Sequence, residues 1–224
     1  MIPSNMKGLS VRGTIPLMFV VLSIVATVAC GSSASSEEPL SAAMLRDALP
    51  DVDDLPGFRA KAQSVPVLER QDVVTTDEAA CRPIADMMNV RPKHPREAMV
   101  WATLDGKDMP DRGSLLLSSF AHDEASVWMS ELKAARTDCT EFTATSKRGW
   151  AFQFTVKPLP PVSAGDDSVA YVLTNTRAPG GKGNSITVVR SGGVLATYLL
   201  EGQSRAMPGS AAGKQHAILR HTSE

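Results

Sequence analysis

Apolar and polar residues alternate along much of the chain, and this alternation predicts the strands. The stretch FRAKAQSV from Phe58 looks extended, and six later runs combine β-branched or aromatic residues with flanking turn residues. These six runs are REAMVWATL from Arg96, RGSLLLSSF from Arg112, GWAFQFTV from Gly149, DSVAYVLTNT from Asp167, NSITVVR from Asn184 and GVLATYLL from Gly193. Short turn-rich or glycine-rich segments separate most of them, which favours antiparallel hairpins over βαβ units.

A helical period of three to four residues marks two or three other segments. Ser41 to Leu49 reads as a short helix that ends at Pro50. TTDEAACRPIADMMN and AHDEASVWMSELKAARTDC each place apolar residues on one face of a helix. The pattern therefore predicts an α+β domain: a mainly antiparallel sheet of about six strands with two or three helices packed on it. From Ala206 we expect a tail with one short helix that frays.

The first thirty residues predict export. Leu17 to Ala29 is an apolar run of 13 residues that follows the basic Lys7 and Arg12. A membrane-spanning helix needs about 20 apolar residues, whereas the apolar core of a signal peptide has about 7–15. A buried N-terminal helix is the alternative, but the run lacks amphipathic spacing.

The end of this run, TVAC, resembles the bacterial lipobox, in which a small residue precedes a cysteine that receives a diacylglycerol. Thr27 stands where that pattern usually has an aliphatic residue. We expect Cys30 to carry the lipid, although a conventional secreted protein cleaved near ATVA is the alternative. Two or more acyl chains hold a protein stably at a membrane.

These observations predict four regions. They are a lipoprotein signal peptide (1–29), a lipidated cysteine with a flexible tether (30–39), an α+β domain (40–205) and a C-terminal tail (206–224). The expected location is the extracytoplasmic face of the cell membrane, through the lipid anchor.

Cys81 and Cys139 then remain as an even pair, and both lie within helix-like patterns. In an oxidising compartment a disulfide between them is the expected state. A metal site would need further ligands at short spacing, and a redox pair would more often read C-x-x-C. The scattered histidines and the wide spacing of the two cysteines disfavour both alternatives.

Composition and motifs exclude several classes of function. Removal of the signal peptide leaves 21 basic against 24 acidic residues, a net charge of −3, which argues against nucleic-acid binding. GQSRA, DVDDLPG and GGKG each fall short of a nucleophile elbow, a calcium loop or a phosphate loop, and GDDS reads as a turn before a strand. We therefore expect no catalytic residues, no metal and no cofactor.

The three tryptophans are the candidate ligand-binding residues. Trp101 and Trp150 lie in strand-like stretches and Trp128 lies on a predicted helix face, so the three rings could line one pocket. The alternative is that they fill the core, because each aromatic ring buries about 150–250 Å².

Five blocks in order carry a resemblance to a known family: LSAAMLRDALPDVDDLPGF, EAACRPIADMM, LLLSSFAHDEASVWMSELKAARTDCTEF, GDDSVAYVL and ITVVRSGGVLATYLL. Together they resemble actinobacterial sensor-like lipoproteins, which look like the extracellular domain of PknH-type serine/threonine kinases. The resemblance spans about Leu40 to Glu201. It implies an antiparallel sheet with helices on it and a cleft that receives a ligand. The kinase domains carry two disulfides, whereas this chain has cysteines for one.

The sequence thus predicts a membrane-anchored, non-enzymatic lipoprotein that binds a small molecule, a lipid or a cell-wall component. Two alternatives stay open: a module that docks another protein of the cell envelope, and an envelope hydrolase.

Overall fold

The computed structural model describes residues 38–64, 73–89, 93–108, 111–121, 123–178, 180–181 and 183–223. The predicted signal peptide, Cys30 and most of the predicted tether lie outside these residues. From residue 36 onward the chain forms one compact unit.

The described residues contain one antiparallel sheet of nine strands in the order β1-β3-β4-β9-β8-β7-β6-β5-β2. The strands are β1 Phe58–Gln63, β2 Val74–Thr75, β3 Ala98–Gly106, β4 Arg112–Ser119, β5 Glu141–Ser146, β6 Ala151–Leu159, β7 Asp167–Asn175, β8 Asn184–Ser191 and β9 Val194–Leu200. Four α-helices accompany them: α1 Ala42–Asp47, α2 Arg82–Met87, α3 Glu124–Asp138 and α4 Gly209–Thr222. A 3-10 turn, Ala79–Cys81, leads directly into α2.

Local chemistry explains where the helices begin and end. The Ser41 hydroxyl accepts a hydrogen bond from the Met44 amide, which caps the N-terminus of α1. Pro83 lies in the first turn of α2, where its missing N–H costs nothing. Cys139 adopts an extended conformation and ends α3.

Helices cover both faces of the sheet, but each face only in part. Because side chains alternate along a strand, Ile186 and Val188 of β8 join a core with α2 and α3, whereas Val189 joins a second core with α1 and α4. The first core covers β5 to β9, and the second covers β1, β3, β4, β8 and β9. The face of β3 and β4 that looks away from α1 and α4 therefore carries half-buried side chains.

The architecture confirms the predicted α+β class but corrects its counts to nine strands and four helices among the described residues. The predicted strands omitted β5 and β2. β5 reads EFTATS, with only Phe142 and Ala144 as apolar inward residues, and β2 has two residues that exist as a strand because they pair with Ser146 and Thr145.

The segment after Ala206 also differs from the expected fraying tail. It forms the 14-residue helix α4, whose Ala211, Ala212 and Leu219 belong to the second core. The Gln215 side-chain amide donates a hydrogen bond to the Ala48 carbonyl at 2.8 Å, which ties α4 to the end of α1.

Candidate functional site

The three candidate tryptophans lie in three different environments. Trp128, on α3, is 1% exposed and belongs to the first core. Trp101 is half-buried on β3, and Trp150 is 54% exposed in the turn before β6. The three rings therefore do not line one pocket; the recess beside Trp101 includes neither of the others.

This recess lies between the end of α2 and the half-covered face of β3 and β4. It has a volume of about 170 Å³. Its lining residues are Met87, Met88, Asn89, Arg96, Met99, Trp101, Ser114 and Leu116. Trp101 and Leu116 are direct partners in the pairing of β3 with β4, so they project side by side into the recess. We call this recess the methionine pocket.

Three methionines give the pocket adaptable apolar walls. Met87 and Met88 close α2, and Met99 lies two residues before Trp101 on the same face of β3. Methionine has an unbranched, polarisable side chain that fits irregular apolar surfaces. Such walls favour an apolar ligand of variable shape.

Among the described residues of the lining, Arg96 is the cationic one. Its Nη1 donates a hydrogen bond to the Asn89 carbonyl at 2.8 Å, and its guanidinium lies 5.5 Å from the centre of the Trp128 ring. Burial lowers the pKa of Arg96 to about 10, with Asp86 opposing this shift, so the guanidinium stays charged at neutral pH. The pocket thus combines apolar walls with a fixed positive charge.

A buried histidine fixes the segment that carries Arg96. His94 is 5% exposed and stacks on Trp128, with ring centres 5.5 Å apart. Its Nδ1 lies 2.5 Å from the Glu124 carboxylate and its Nε2 lies 3.0 Å from the Glu131 carboxylate. These contacts hold the segment around His94 against α3. They thereby position the guanidinium of Arg96, which follows His94 by two residues in the chain.

The disulfide fixes the other wall of the methionine pocket. Cys81 and Cys139 are bonded, as predicted, and both are buried. The bond joins the start of α2 to the end of α3. α2 carries Met87 and Met88, so its position over the sheet is tied covalently to α3.

Two other recesses are weaker candidates for a ligand-binding site. One of about 120 Å³ contains Asp111, whose carboxylate accepts hydrogen bonds from Gln203 and Arg205 and joins the β9–α4 connection to β4. The other, of about 210 Å³, lies beside residues 38–40 and the C-terminal end of α4, where Arg220 and Glu38 bring opposite charges to one lining.

The aspartates of GDDS have structural partners. Asp166 accepts a hydrogen bond from the Gly192 amide at 2.7 Å, and Asp167 pairs with Lys133 of α3 at 2.9 Å. Within the described ranges, no group of three or more His, Cys, Asp and Glu residues could hold a metal ion. No helix within those ranges is long and apolar enough to cross a membrane.

Sequence reasoning selected only Trp101 of the pocket's lining. Met87 and Met88 were expected on the inner face of a helix, and they are half-buried against the core. Arg96 had no local signal, because its role follows from burial beside Trp128. Two adjacent methionines at the end of a short helix were the one sequence feature that pointed to an adaptable surface.

Comparison with known proteins finds a similar solved structure but no matching family model. No protein-family model matches the chain, and no curated protein matches it. The extracellular domain of PknH from Mycobacterium tuberculosis is similar in structure, with a TM-score of 0.48 and 12% sequence identity over 84% of this chain and 98% of that domain. The PknH extracellular domain is also of the type that the five sequence blocks resemble.

Proposed function

We propose that this protein is an extracytoplasmic lipoprotein, anchored through Cys30, that binds a small amphiphile in the methionine pocket without catalysis. Exposure to an oxidising compartment is supported by the Cys81–Cys139 bond, since such bonds persist mainly outside the cytoplasm. The lipobox-like TVAC before the tether supports the anchor.

The observation that carries the ligand class is the charged Arg96 guanidinium beside the apolar side chains of the pocket's described lining. Arg96 would pair with a carboxylate or phosphate, while the methionines, Trp101 and Leu116 would surround a hydrocarbon segment. A volume of about 170 Å³ is below the usual ~300–1,000 Å³ of sites that enclose a whole ligand. The ligand therefore inserts one part and leaves the rest in solvent.

The lining supports binding rather than turnover. Of the lining residues that the structure describes, Asn89, Arg96 and Ser114 have polar side chains, and none of these three is a general base that could activate the serine hydroxyl. The predicted absence of catalysis accordingly remains part of the proposal.

Matched probes test both the charge and the apolar component. We expect the full chain in neutral detergent to bind octanoate more tightly than octanol or octylammonium, as measured by NMR titration of the methionine methyl groups. Arg96→Met should weaken octanoate binding about tenfold or more, because a hydrogen bond to a charged group contributes ~1.5–3 kcal/mol. Arg59→Met is the control, because Arg59 is exposed on β1 outside the pocket.

Equal binding of the three probes would overturn the role of Arg96, and loss of octanoate binding in Arg59→Met would overturn the location. If none of the probes shifts the methionine signals, the pocket does not bind amphiphiles. Native mass spectrometry of protein purified from its own envelope then identifies any natural ligand, and a clean unliganded mass at high yield contradicts the proposal.

A further inference from the structure

Three thioether groups border the methionine pocket, and their exposure differs from that of the methionines in the two cores. Met87, Met88 and Met99 are each half-buried and line the recess. Met129 lies in the first core and Met207 in the second, and each is 1% exposed. The recess therefore brings three methionine side chains within reach of a small solute, whereas the two core methionines are shielded from it.

Met44 provides the comparison for an accessible methionine outside the pocket. It lies on α1, is 38% exposed, and lines the separate recess beside residues 38–40. The methionines that the structure describes thus occupy three environments: the pocket, the open surface and the cores. Their reactivities can be compared within one protein.

The cysteines of the described chain do not compete with these thioethers for an oxidant. Cys81 and Cys139 are joined in a disulfide, and both are buried. A disulfide contains no thiolate, which is the form of cysteine that oxidants attack. Among the sulfur atoms that the structure describes, the reduced and accessible ones therefore belong to Met44 and to the three pocket methionines.

Oxidation would change the walls of the pocket from apolar to polar. Met87 and Met88 pack against the first core from the end of α2, and Met99 shares its face of β3 with Trp101. A methionine sulfoxide is polar, and burial of its oxygen is unfavourable unless a donor bonds it. The oxidised side chains can therefore no longer pack as the thioethers do.

The amide group next to the end of α2 is already used within the fold. The Asn89 side-chain amide donates to the Val74 carbonyl at 2.9 Å, and its oxygen accepts from the Val74 amide at 3.0 Å. These bonds hold the residue after Met88 beside β2. A sulfoxide at Met87 or Met88 therefore reaches a donor most readily by turning into the recess toward water. It then fills with a polar group the space that a hydrocarbon segment of the ligand requires.

We propose that Met87, Met88 and Met99 form an oxidation-sensitive modification site, at which a peroxide converts the thioethers to sulfoxides and releases the ligand. This inference rests on the proposed function, since it concerns the same pocket. In each step a sulfur lone pair bonds to one oxygen of hydrogen peroxide and the O–O bond breaks. The departing hydroxide takes the proton of the transferred oxygen and becomes water. The sulfur loses two electrons and the peroxide gains them, and methionine sulfoxide reductases reverse the change.

Mild peroxide treatment of the full chain in neutral detergent tests this proposal. We expect peptide mass spectrometry to find sulfoxide at Met87, Met88 and Met99 well before Met129 and Met207. Octanoate affinity, measured by isothermal titration calorimetry, should fall about tenfold or more, because apolar walls become polar. Methionine sulfoxide reductases with a thioredoxin system should restore the affinity, and non-reducing electrophoresis should show that the Cys81–Cys139 bond is kept.

Leucine variants separate the pocket from the rest of the chain. M87L/M88L/M99L removes three sulfurs but keeps apolar walls of similar size, so it should bind octanoate and retain that affinity after peroxide treatment. M44L is the matched control, because it removes an exposed thioether outside the pocket. It should lose octanoate affinity on oxidation as the wild type does.

Three results would overturn the proposal: unchanged octanoate affinity in the wild type once its pocket methionines are oxidised, equally fast oxidation of Met129, or the same loss of affinity in M87L/M88L/M99L. Should that variant not fold, the reductase treatment of the wild type decides, and a failure to recover affinity contradicts the proposal. Absence of octanoate binding before any treatment would instead contradict the proposed function, and the order of methionine oxidation would still test the modification site.

Discussion

His94 lies between two carboxylates of α3, and each of its ring nitrogens faces one of them. The Nδ1 atom lies 2.5 Å from Glu124 and the Nε2 atom lies 3.0 Å from Glu131. Lys93 adds a further bond to Glu131 at 2.8 Å. Partial burial by itself would raise the pKa of Glu131. The hydrogen bonds from Lys93 and His94 lower it by more, so the pKa lies below its ordinary value.

We expect Glu131→Gln to make unfolding less sensitive to acid. A carboxyl group with a lowered pKa in the folded state contributes stability above its unfolded value of 4.5, and this contribution is lost as pH falls through the folded value. The variant should therefore be less stable than the wild type near pH 7 and should lose less stability on acidification. Urea unfolding at about pH 7, 5 and 3 measures both effects.

Glu97→Gln is the control for this substitution, because Glu97 is exposed beside the same segment. An unfolding free energy with the same pH dependence in Glu131→Gln and the wild type would show that the Lys93 and His94 contacts do not stabilise the fold.

At the scale of elements, α2 depends on long-range contacts for its position. It has six residues, too few for a stable isolated helix, and it packs on α3 and on β2. The Cys81–Cys139 bond joins its first turn to the far end of α3 across a separation of 58 residues. The position of α2, which forms one wall of the methionine pocket, is therefore fixed by a covalent bond.

We expect the double variant C81S/C139S to lose about 4 kcal/mol of unfolding free energy, the chain-entropy value for a loop of this length. The loss should appear as a lower urea midpoint under oxidising conditions. The wild type treated with a reductant should approach the same midpoint. A midpoint that is unchanged in both cases would contradict a structural role for the bond.

The elements also show where periodicity is informative. β3, β4 and β6 to β9 are long strands with clear alternation, and α3 has a strong helical repeat, so each was predictable. β5 was not, because EFTATS has only two apolar inward residues, Phe142 and Ala144, and its apolar signal is therefore short. α4 contains Gly209 and Gly213, poor helix formers, and its inward face became evident only once it packed on the sheet.

At the scale of the whole molecule, the two partly covered faces create two different surfaces. One is the methionine pocket beside Trp101, and the other is the polar face of β5 and β6 that carries Thr145, Gln153 and Thr155.

We expect Cys30→Ala to release the protein from membranes into the soluble extracytoplasmic or culture fraction, because the acylated thiol would be lost. Cell fractionation and immunoblotting measure the distribution. Membrane association that persists in the variant would show that another feature retains the protein. The Cys81–Cys139 pair should be unaffected, as non-reducing electrophoresis can verify.

By itself, the sequence determined the class of the fold, most of the strands, the long helix and the cysteine pairing. These depend on local periodicity and on a count of two cysteines, which a linear chain displays directly. Only the tertiary structure decided that the three tryptophans separate, that α4 completes a core, and that Arg96 lies charged in an apolar recess. The physical reason is that burial and charge environment arise from residues distant in sequence, such as Asn89 and Trp128 around Arg96, and no local pattern encodes their meeting.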